Sequence, residues 1–102
     1  MTILKLDFDG DLPGDVLDRL RFLASVLDTR VVWTQIDRTA RGFHVTAKLR
    51  RTLPPLAIVA AQASVGSDPK REMYNLARAL VVPRMAKFWQ SRWNVLYRRK
   101  VT

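Results

Sequence analysis

The chain has 102 residues, of which 48% are apolar and none is cysteine, and its formal net charge is +9. A chain of this length and composition is expected to fold as a single domain, residues 1–102, around one hydrophobic core. The lack of cysteine excludes disulfides, thiolate zinc sites and cysteine nucleophiles. No apolar run reaches the roughly 18 to 20 residues that span a bilayer, so we expect a cytoplasmic protein with no membrane partner.

The charge is distributed unevenly along the chain. Residues 1–37 hold four Lys/Arg and seven Asp, a net charge of −3, whereas residues 38–102 hold fourteen Lys/Arg and two acids, a net charge of +12. Arginine outnumbers lysine thirteen to five, and the arginine fork matches phosphate oxygens and stacks on bases. The composition favours nucleic acid as the partner, although GC-rich codon usage and solubility would produce a similar bias.

The hydrophobic pattern predicts secondary structure in the order strand, helix, strand, strand, helix, strand, with the second helix broken in two. In chain order the predicted elements are a strand at 2–9, a helix at about 13–28, strands at 29–37 and 43–50, a helix in two parts at 56–64 and 69–80, and a last strand at 93–100. This order is typical of a ferredoxin-like, or RRM-like, α+β fold. Such a fold has a four-stranded antiparallel sheet with its helices on one face.

Two helices have an apolar stripe that predicts their buried face. In the first helix the stripe consists of Val16, Leu17, Leu20, Leu23, Ala24 and Leu27. In the helix that starts at Pro69 it consists of Met73, Leu76, Ala77 and Leu80, with Arg71, Asn75 and Arg78 on another face.

Apolar and polar residues alternate in the first and third strands, so the polar set of each strand must lie on the side of the sheet away from the core. These polar sets are Lys5, Asp7 and Asp9 in the first strand, and His44, Thr46, Lys48 and Arg50 in the third. The two strands are central neighbours in a ferredoxin-like sheet. We therefore expect Asp7, Asp9 and His44 to share one open face.

Asp7 and Asp9 have the spacing of a shared cation site. Residues i and i+2 of a strand point the same way, roughly 7 Å apart, and carboxylate oxygens are ligands for Mg²⁺ or Mn²⁺. The alternative is that the acids belong to a solvated strand end that enters a turn. In the same way, a lone histidine on a strand is most often an ordinary exposed polar residue.

Leu6-Asp7-Phe8-Asp9, followed by Arg41-Gly42-Phe43-His44-Val45, resembles the first two motifs of archaeo-eukaryotic primases and PrimPol-type replicases. In that family an RRM-like core carries an Asp-x-Asp that binds divalent metal, and a histidine on a later strand contacts nucleotide phosphate. The resemblance implies that Asp7 and Asp9 are metal ligands and that His44 contacts a nucleotide, the three forming a catalytic site.

The resemblance covers roughly residues 3–50 and lacks one family feature. A third metal-binding acid is expected on a late strand, but the last thirty residues contain no Asp or Glu. This departure favours a reduced, non-catalytic relative that still binds nucleic acid. The segments at 66–71 and 94–97 also resemble small replication-associated proteins of archaea and their mobile elements.

Eight residues are candidates for contact with nucleic acid. Trp33 would stack on a base if it shares the open face with Gln35 and Asp37, whereas it would be core packing if Val31 and Trp33 form the buried set. The candidate phosphate-binding cations are Arg41, Lys48, Arg50, Arg51, Arg98, Arg99 and Lys100.

The sequence thus predicts a protein that binds nucleic acid, chiefly single-stranded DNA, in replication or genome maintenance of a virus or plasmid. The alternative is a metal-dependent nucleotidyltransferase or phosphodiester-cleaving enzyme that uses Asp7, Asp9 and His44. A third interpretation is a basic structural protein. A second copy of the chain or a replication protein are further candidate partners.

A second resemblance is to rolling-circle replication endonucleases, which combine a histidine pair on a central strand with a tyrosine nucleophile on a helix. Tyr74 and His44 occupy comparable positions, but the chain has one histidine instead of a pair. Packing or base stacking is the alternative role of Tyr74.

Overall fold

The computed structural model describes residues 1–81 and 93–94. Its elements are β1 (Thr2–Asp9), α1 (Val16–Val26), β2 (Val31–Arg38), β3 (Gly42–Leu49), α2 (Pro55–Val65) and α3 (Pro69–Val81). The strands form an antiparallel sheet in the order β1-β3-β2. An α+β fold is confirmed, but the described residues contain three strands where four were expected.

The last strand was predicted at residues 93–100. Trp93 and Asn94 lie in a bend outside the sheet, and the rest of that segment lies outside the described residues. The indole of Trp93 is buried and packs with Val59 and Ala79, so it serves the core where α2 and α3 meet.

The core lies between one face of the sheet and the helices. The apolar sets of β1 and β3 are buried there as the alternation predicts, and α1 and α2 contribute the opposite side. The buried core residues are Leu4, Leu6, Phe8, Val45, Ala47 and Leu49 from the sheet, and Val16, Leu20, Ala24, Ala61 and Val65 from the helices. Of the other residues of the predicted stripe, Leu23 and Leu27, the residue that follows α1, are half-buried, whereas Leu17 is exposed.

The hairpin between β2 and β3 lies at the predicted position. The Thr39 N–H donates to the Gly42 carbonyl oxygen over 2.8 Å, and the Gly42 N–H donates to Thr39 Oγ1 over 3.0 Å. A Cβ atom at Gly42 would collide with the carbonyl oxygen of Phe8. Only glycine therefore lets β3 begin this close to β1.

The predicted break between α2 and α3 is also confirmed. Gly66 ends α2 with φ +103°, in the left-handed region that favours glycine. Asp68 precedes Pro69 at the start of α3, and its carbonyl oxygen accepts from the Glu72 N–H over 3.0 Å.

The predicted buried face of α3 is wrong. Met73, Leu76 and Leu80 are exposed, and the buried residues of the helix are Glu72, Asn75 and Ala79. The reason is that both polar side chains are hydrogen-bonded: Glu72 accepts from Gln62 and Ser67, and Asn75 donates to Glu72 and Asn94. Polar side chains that hydrogen-bond to one another can be buried. A pattern of apolar residues does not predict such a buried polar face.

The outer edge of β1 is bonded to the α2–α3 region instead of to a fourth strand. The Lys5 N–H donates to Gln62 Oε1 (2.9 Å) and the Asp7 N–H to Ser67 Oγ (2.9 Å). The Lys5 carbonyl oxygen accepts from Arg71 Nη1 (2.7 Å), and that of Asp7 from the Asp68 N–H (2.6 Å). At Lys5 and Asp7, these groups occupy the positions that the backbone of a fourth strand would take.

No helix among residues 1–81 is long and apolar enough to cross a membrane.

Candidate functional site

The polar face of the sheet, which we define as the side opposite the core, carries three rows of side chains across the strands. The rows are Asp7–His44–Asp37, Lys5–Thr46–Gln35 and Ile3–Lys48–Trp33. Strand alternation therefore placed Asp7, His44 and Lys48 on the correct side of the sheet.

The Asp7–His44–Asp37 row lies at the end of the sheet near the hairpin. His44 Nε2 is 3.5 Å from Asp7 Oδ1. The expectation that His44 lies open to solvent is wrong, because its side chain is only 3% exposed while that of Asp7 is 32% exposed. Asp37 faces His44 from β2.

The pKa of Asp7 is raised, mainly because burial penalises its charged form. Neighbouring carboxylates at Asp68 and Asp9 raise it further, whereas His44 and Arg71 act in the opposite direction. Asp7 therefore lies within electrostatic reach of two other acids. A cation between these carboxylates would offset their repulsion.

A cleft of about 340 Å³ opens beside this row. It brings together all three candidate catalytic residues and one candidate phosphate contact, Arg41. Its lining consists of Asp7, Asp9, His44, Thr39, Ala40, Arg41, Asp68 and Lys70. Sequence reasoning missed Asp68 as a site residue because the start of α3 already explained it. The Asp68 N–H donates a hydrogen bond to the Asp7 carbonyl oxygen, which positions Asp68 at the cleft.

Asp7 and Asp9 offer the oxygen donors that Mg²⁺ or Mn²⁺ prefers. Within residues 1–81 and 93–94, however, no three His, Asp or Glu side chains are grouped so as to hold a metal ion. A cation here would thus take two carboxylates from the chain and complete its coordination with water or phosphate.

Trp33 and Lys48 face each other at the opposite end of the polar face. A shift of register between Val31 and Trp33 lets Val31 pack against the core while Trp33 pairs with Lys48. The side chain of Trp33 is 41% exposed. Because β2 is an edge strand, Trp33 also borders a groove of about 530 Å³ between β2 and α1. The sequence allowed Trp33 to lie either in the core or on the polar face. Its pairing with Lys48 supports the polar face.

Arg50 and Arg51 follow β3 at the same end of the sheet as Trp33. They border a second cleft, of about 370 Å³, together with Asp28, Thr29 and Arg30. The guanidinium of Arg51 donates to the Leu27 carbonyl oxygen over 2.7 Å, which satisfies a free carbonyl at the end of α1. Arg51 thus has a structural role that the sequence did not indicate.

Within residues 1–81, the predicted nucleic-acid contacts lie at two separate ends of the sheet. Arg41 lies at the acidic end with Asp7 and Asp9, whereas Lys48 and Arg50 lie at the far end of β3. Arg50 follows His44 by six positions, which is roughly 20 Å along a strand. The remaining predicted contacts, Arg98, Arg99 and Lys100, lie outside the described residues.

Tyr74 is exposed on α3 and does not border the cleft that contains His44. The geometry thus gives no support to a tyrosine nucleophile acting with this histidine.

No protein-family model matches the chain, and no curated protein or solved structure matches it either. The resemblance to primases consequently depends on the two short motifs alone.

Proposed function

We propose that this protein binds nucleic acid across the polar face of its sheet and that single strands are the preferred form. The observation that carries the proposal is the pairing of Trp33 with Lys48 on that face. An exposed indole provides a stacking surface for an unpaired base, and an adjacent ammonium can neutralise the neighbouring phosphate. A base within a duplex would not expose its face in this way.

The order β1-β3-β2 supports the proposal, because it corresponds to three strands of the ferredoxin-like sheet that RRM-type proteins use for RNA. The excess of arginine in the second part of the chain supports a polyanionic partner. A role in replication or genome maintenance is the extension that the Asp-x-Asp and Gly-x-His motifs suggest.

The first test is fluorescence anisotropy with a labelled oligodeoxythymidine of about 16 nucleotides at several salt concentrations. We expect the logarithm of the binding constant to fall linearly with the logarithm of the salt concentration. Trp33→Ala should weaken binding by about tenfold, within the range found for loss of one stacked base. The matched control is Phe22→Ala, which removes an exposed aromatic ring from α1 and should bind like wild type.

Affinity that does not change with salt would contradict the proposal. Trp33→Ala binding as tightly as Phe22→Ala would refute base stacking on this face. A complementary duplex that binds more tightly than the single strand would refute the preference for single strands.

A second candidate function is metal-dependent nucleotidyl transfer or phosphodiester cleavage at Asp7, Asp9 and His44. The observation that favours it is the 3.5 Å approach of His44 to Asp7 beside a cleft that also contains Asp9 and Asp68. In this function the carboxylates would hold Mg²⁺ or Mn²⁺, which would neutralise a reacting phosphate. Arg41 at the rim would contact the same anion.

This candidate predicts that Mn²⁺ raises the unfolding temperature of the wild type and not that of Asp7→Asn/Asp9→Asn. Because the pKa of Asp7 is raised, the shift should diminish as the pH falls and protons compete with the cation. Asp11→Asn/Asp18→Asn removes the same charge from exposed positions and is the matched control. An equal shift in both double variants, or none in the wild type, would rule out this cation site.

A further inference from the structure

The cleft at the far end of β3 is built by the continuation of the β2–β3 pair. The Arg50 N–H donates to the Arg30 carbonyl oxygen over 3.1 Å. This bond lies one step beyond the Val31–Leu49 pair that begins the sheet. It holds two arginines side by side at the mouth of a cleft of about 370 Å³.

The three arginines at this cleft differ in what their side chains do. The guanidinium of Arg51 donates a hydrogen bond to the Leu27 carbonyl oxygen. Arg30 and Arg50 are both exposed, and among the described residues their guanidinium groups make no hydrogen bond or ion pair. Asp28 borders the cleft, but among the ion pairs of the described residues it forms none with either arginine.

Arg30 and Arg50 lie on adjacent backbone segments and line the same cleft, so an anion in this cleft is flanked by two positively charged side chains. A phosphate is well suited to the position, because each guanidinium can donate two parallel hydrogen bonds to its oxygens. The acidic residues at the hairpin end of the sheet, roughly 20 Å away, do not compete for these groups.

We propose that Arg30 and Arg50 form a phosphate-binding site that holds the sugar–phosphate backbone of a single strand whose base stacks on Trp33. Arg30, just before β2, precedes Trp33 by three residues, and Arg50, just after β3, follows Lys48 by two. Both arginines therefore lie within roughly 10 Å, along their strands, of the Trp33–Lys48 pair. The inference rests on the proposed function. It adds Arg30 to the predicted nucleic-acid contacts and removes Arg51 from them.

The site gives the bound strand a direction on the protein. Its backbone is anchored at the arginine end, and the strand continues along the polar face towards Asp7, Asp9 and His44. A phosphate that reaches the acidic end meets carboxylates and would require a divalent cation there.

The test compares Arg30→Gln/Arg50→Gln with wild type in the anisotropy assay. The salt slope is the magnitude of the slope of the logarithm of the binding constant against the logarithm of the salt concentration. For single strands each lost phosphate contact lowers this slope by about 0.7, so the loss of two contacts should lower it by about 1.4. We expect an accompanying loss of affinity of at least tenfold at low salt. Arg21→Gln/Arg38→Gln removes the same charge from exposed positions outside this cleft and outside the one beside Asp7, and it should change the slope by less than half as much.

Arg51→Gln separates the structural arginine from the binding ones. It should lower the unfolding temperature and leave the salt slope unchanged, because its guanidinium bonds the end of α1. The unfolding temperature of Arg30→Gln/Arg50→Gln should equal or exceed that of wild type, since neither side chain supports the fold.

Two failures can be told apart. If the wild type binds the oligonucleotide with a salt dependence that Arg30→Gln/Arg50→Gln retains in full, the phosphate site is wrong while the proposed function stands. If the wild type shows no salt-dependent binding at all, the proposed function itself is wrong.

Discussion

Gly42 belongs to the motif that carries the resemblance to primases, and its neighbours give it a packing role. A Cβ atom there would meet the carbonyl oxygen of Phe8, and the adjacent Arg41 carbonyl oxygen accepts from the Gly10 N–H over 2.7 Å. The glycine thus allows the close approach of β3 to β1 that puts His44 opposite Asp7. Packing alone would require a glycine here, whatever chemistry the histidine performs.

Gly42→Ala should destabilise the fold by about 1–3 kcal/mol or more, because the added methyl group has to displace strand backbone. Gly14→Ala is the control, since its Cβ atom would have no neighbour within 4 Å. The measurement is the free energy of unfolding from urea denaturation. Equal stability of the two variants would contradict the close contact between β1 and β3.

Strand alternation predicted correctly which side of the sheet Asp7, His44 and Lys48 would occupy. Alternation carries no information on the depth of a side chain, so it did not foresee that His44 is buried. The position of Trp33 depends on the register shift after Val31, a feature that hydrophobic periodicity does not encode.

At the scale of secondary-structure elements, α3 is held by a buried polar network. The Glu72 carboxylate is its centre and accepts from four side chains. The donors are Gln62 Nε2 at 2.8 Å, Ser67 Oγ at 2.7 Å, Arg71 Nη1 at 2.6 Å and Asn75 Nδ2 at 3.0 Å. Gln62, Ser67 and Arg71 also bond the backbone of β1. One carboxylate therefore organises the contacts between α2, α3 and the sheet.

Glu72→Ala should cost about 3–5 kcal/mol of unfolding free energy, because it leaves the mostly buried Arg71 guanidinium without its carboxylate. Asp18→Ala removes an acid from an exposed pair with Arg21 at 3.6 Å and should cost less than about 1 kcal/mol. Chemical denaturation of both variants provides the comparison.

If Glu72→Ala does not fold, Glu72→Gln preserves the shape and one acceptor of the side chain while removing its charge. It should still destabilise the protein more than Asp18→Ala. The network would be incidental to stability if either Glu72 variant unfolded like Asp18→Ala.

The predicted elements themselves were largely correct because turn residues and alternation mark their boundaries. The hairpin at 39–42 and the break at Gly66 are local signals, and both are found in the structure. The described residues contain no fourth strand, and α3 buries a face other than the predicted one; both differences involve the same side chains. Gln62, Ser67 and Arg71 bond the edge of β1 through contacts distant in sequence, which no local pattern expresses.

For the whole molecule, the division of charge in the sequence is not the division in space. Arg30 belongs to the acidic first part of the chain, yet it lies beside Arg50. Asp68 belongs to the basic part, yet it lies beside Asp7. Among the described residues, Asp7, Asp9 and Asp68 thus come together beside His44, where Arg41 and Lys70 also lie. Arg30, Arg50 and Arg51 come together with Asp28 at the end of the sheet that carries Trp33.

The bonded edge of β1 has a consequence for how copies of this protein avoid aggregation. An unpaired strand edge can pair with a strand of another chain. In this protein the α2–α3 region already hydrogen-bonds the outer edge of β1 at Lys5 and Asp7. Among the described residues, this leaves the edge of β2 for such pairing. Its segment Val31–Ile36 is uncharged and rich in β-branched residues, the composition that favours intermolecular sheets. Arg30 and Arg38 flank it, and charges at the ends of such a segment oppose its pairing with another copy of the chain.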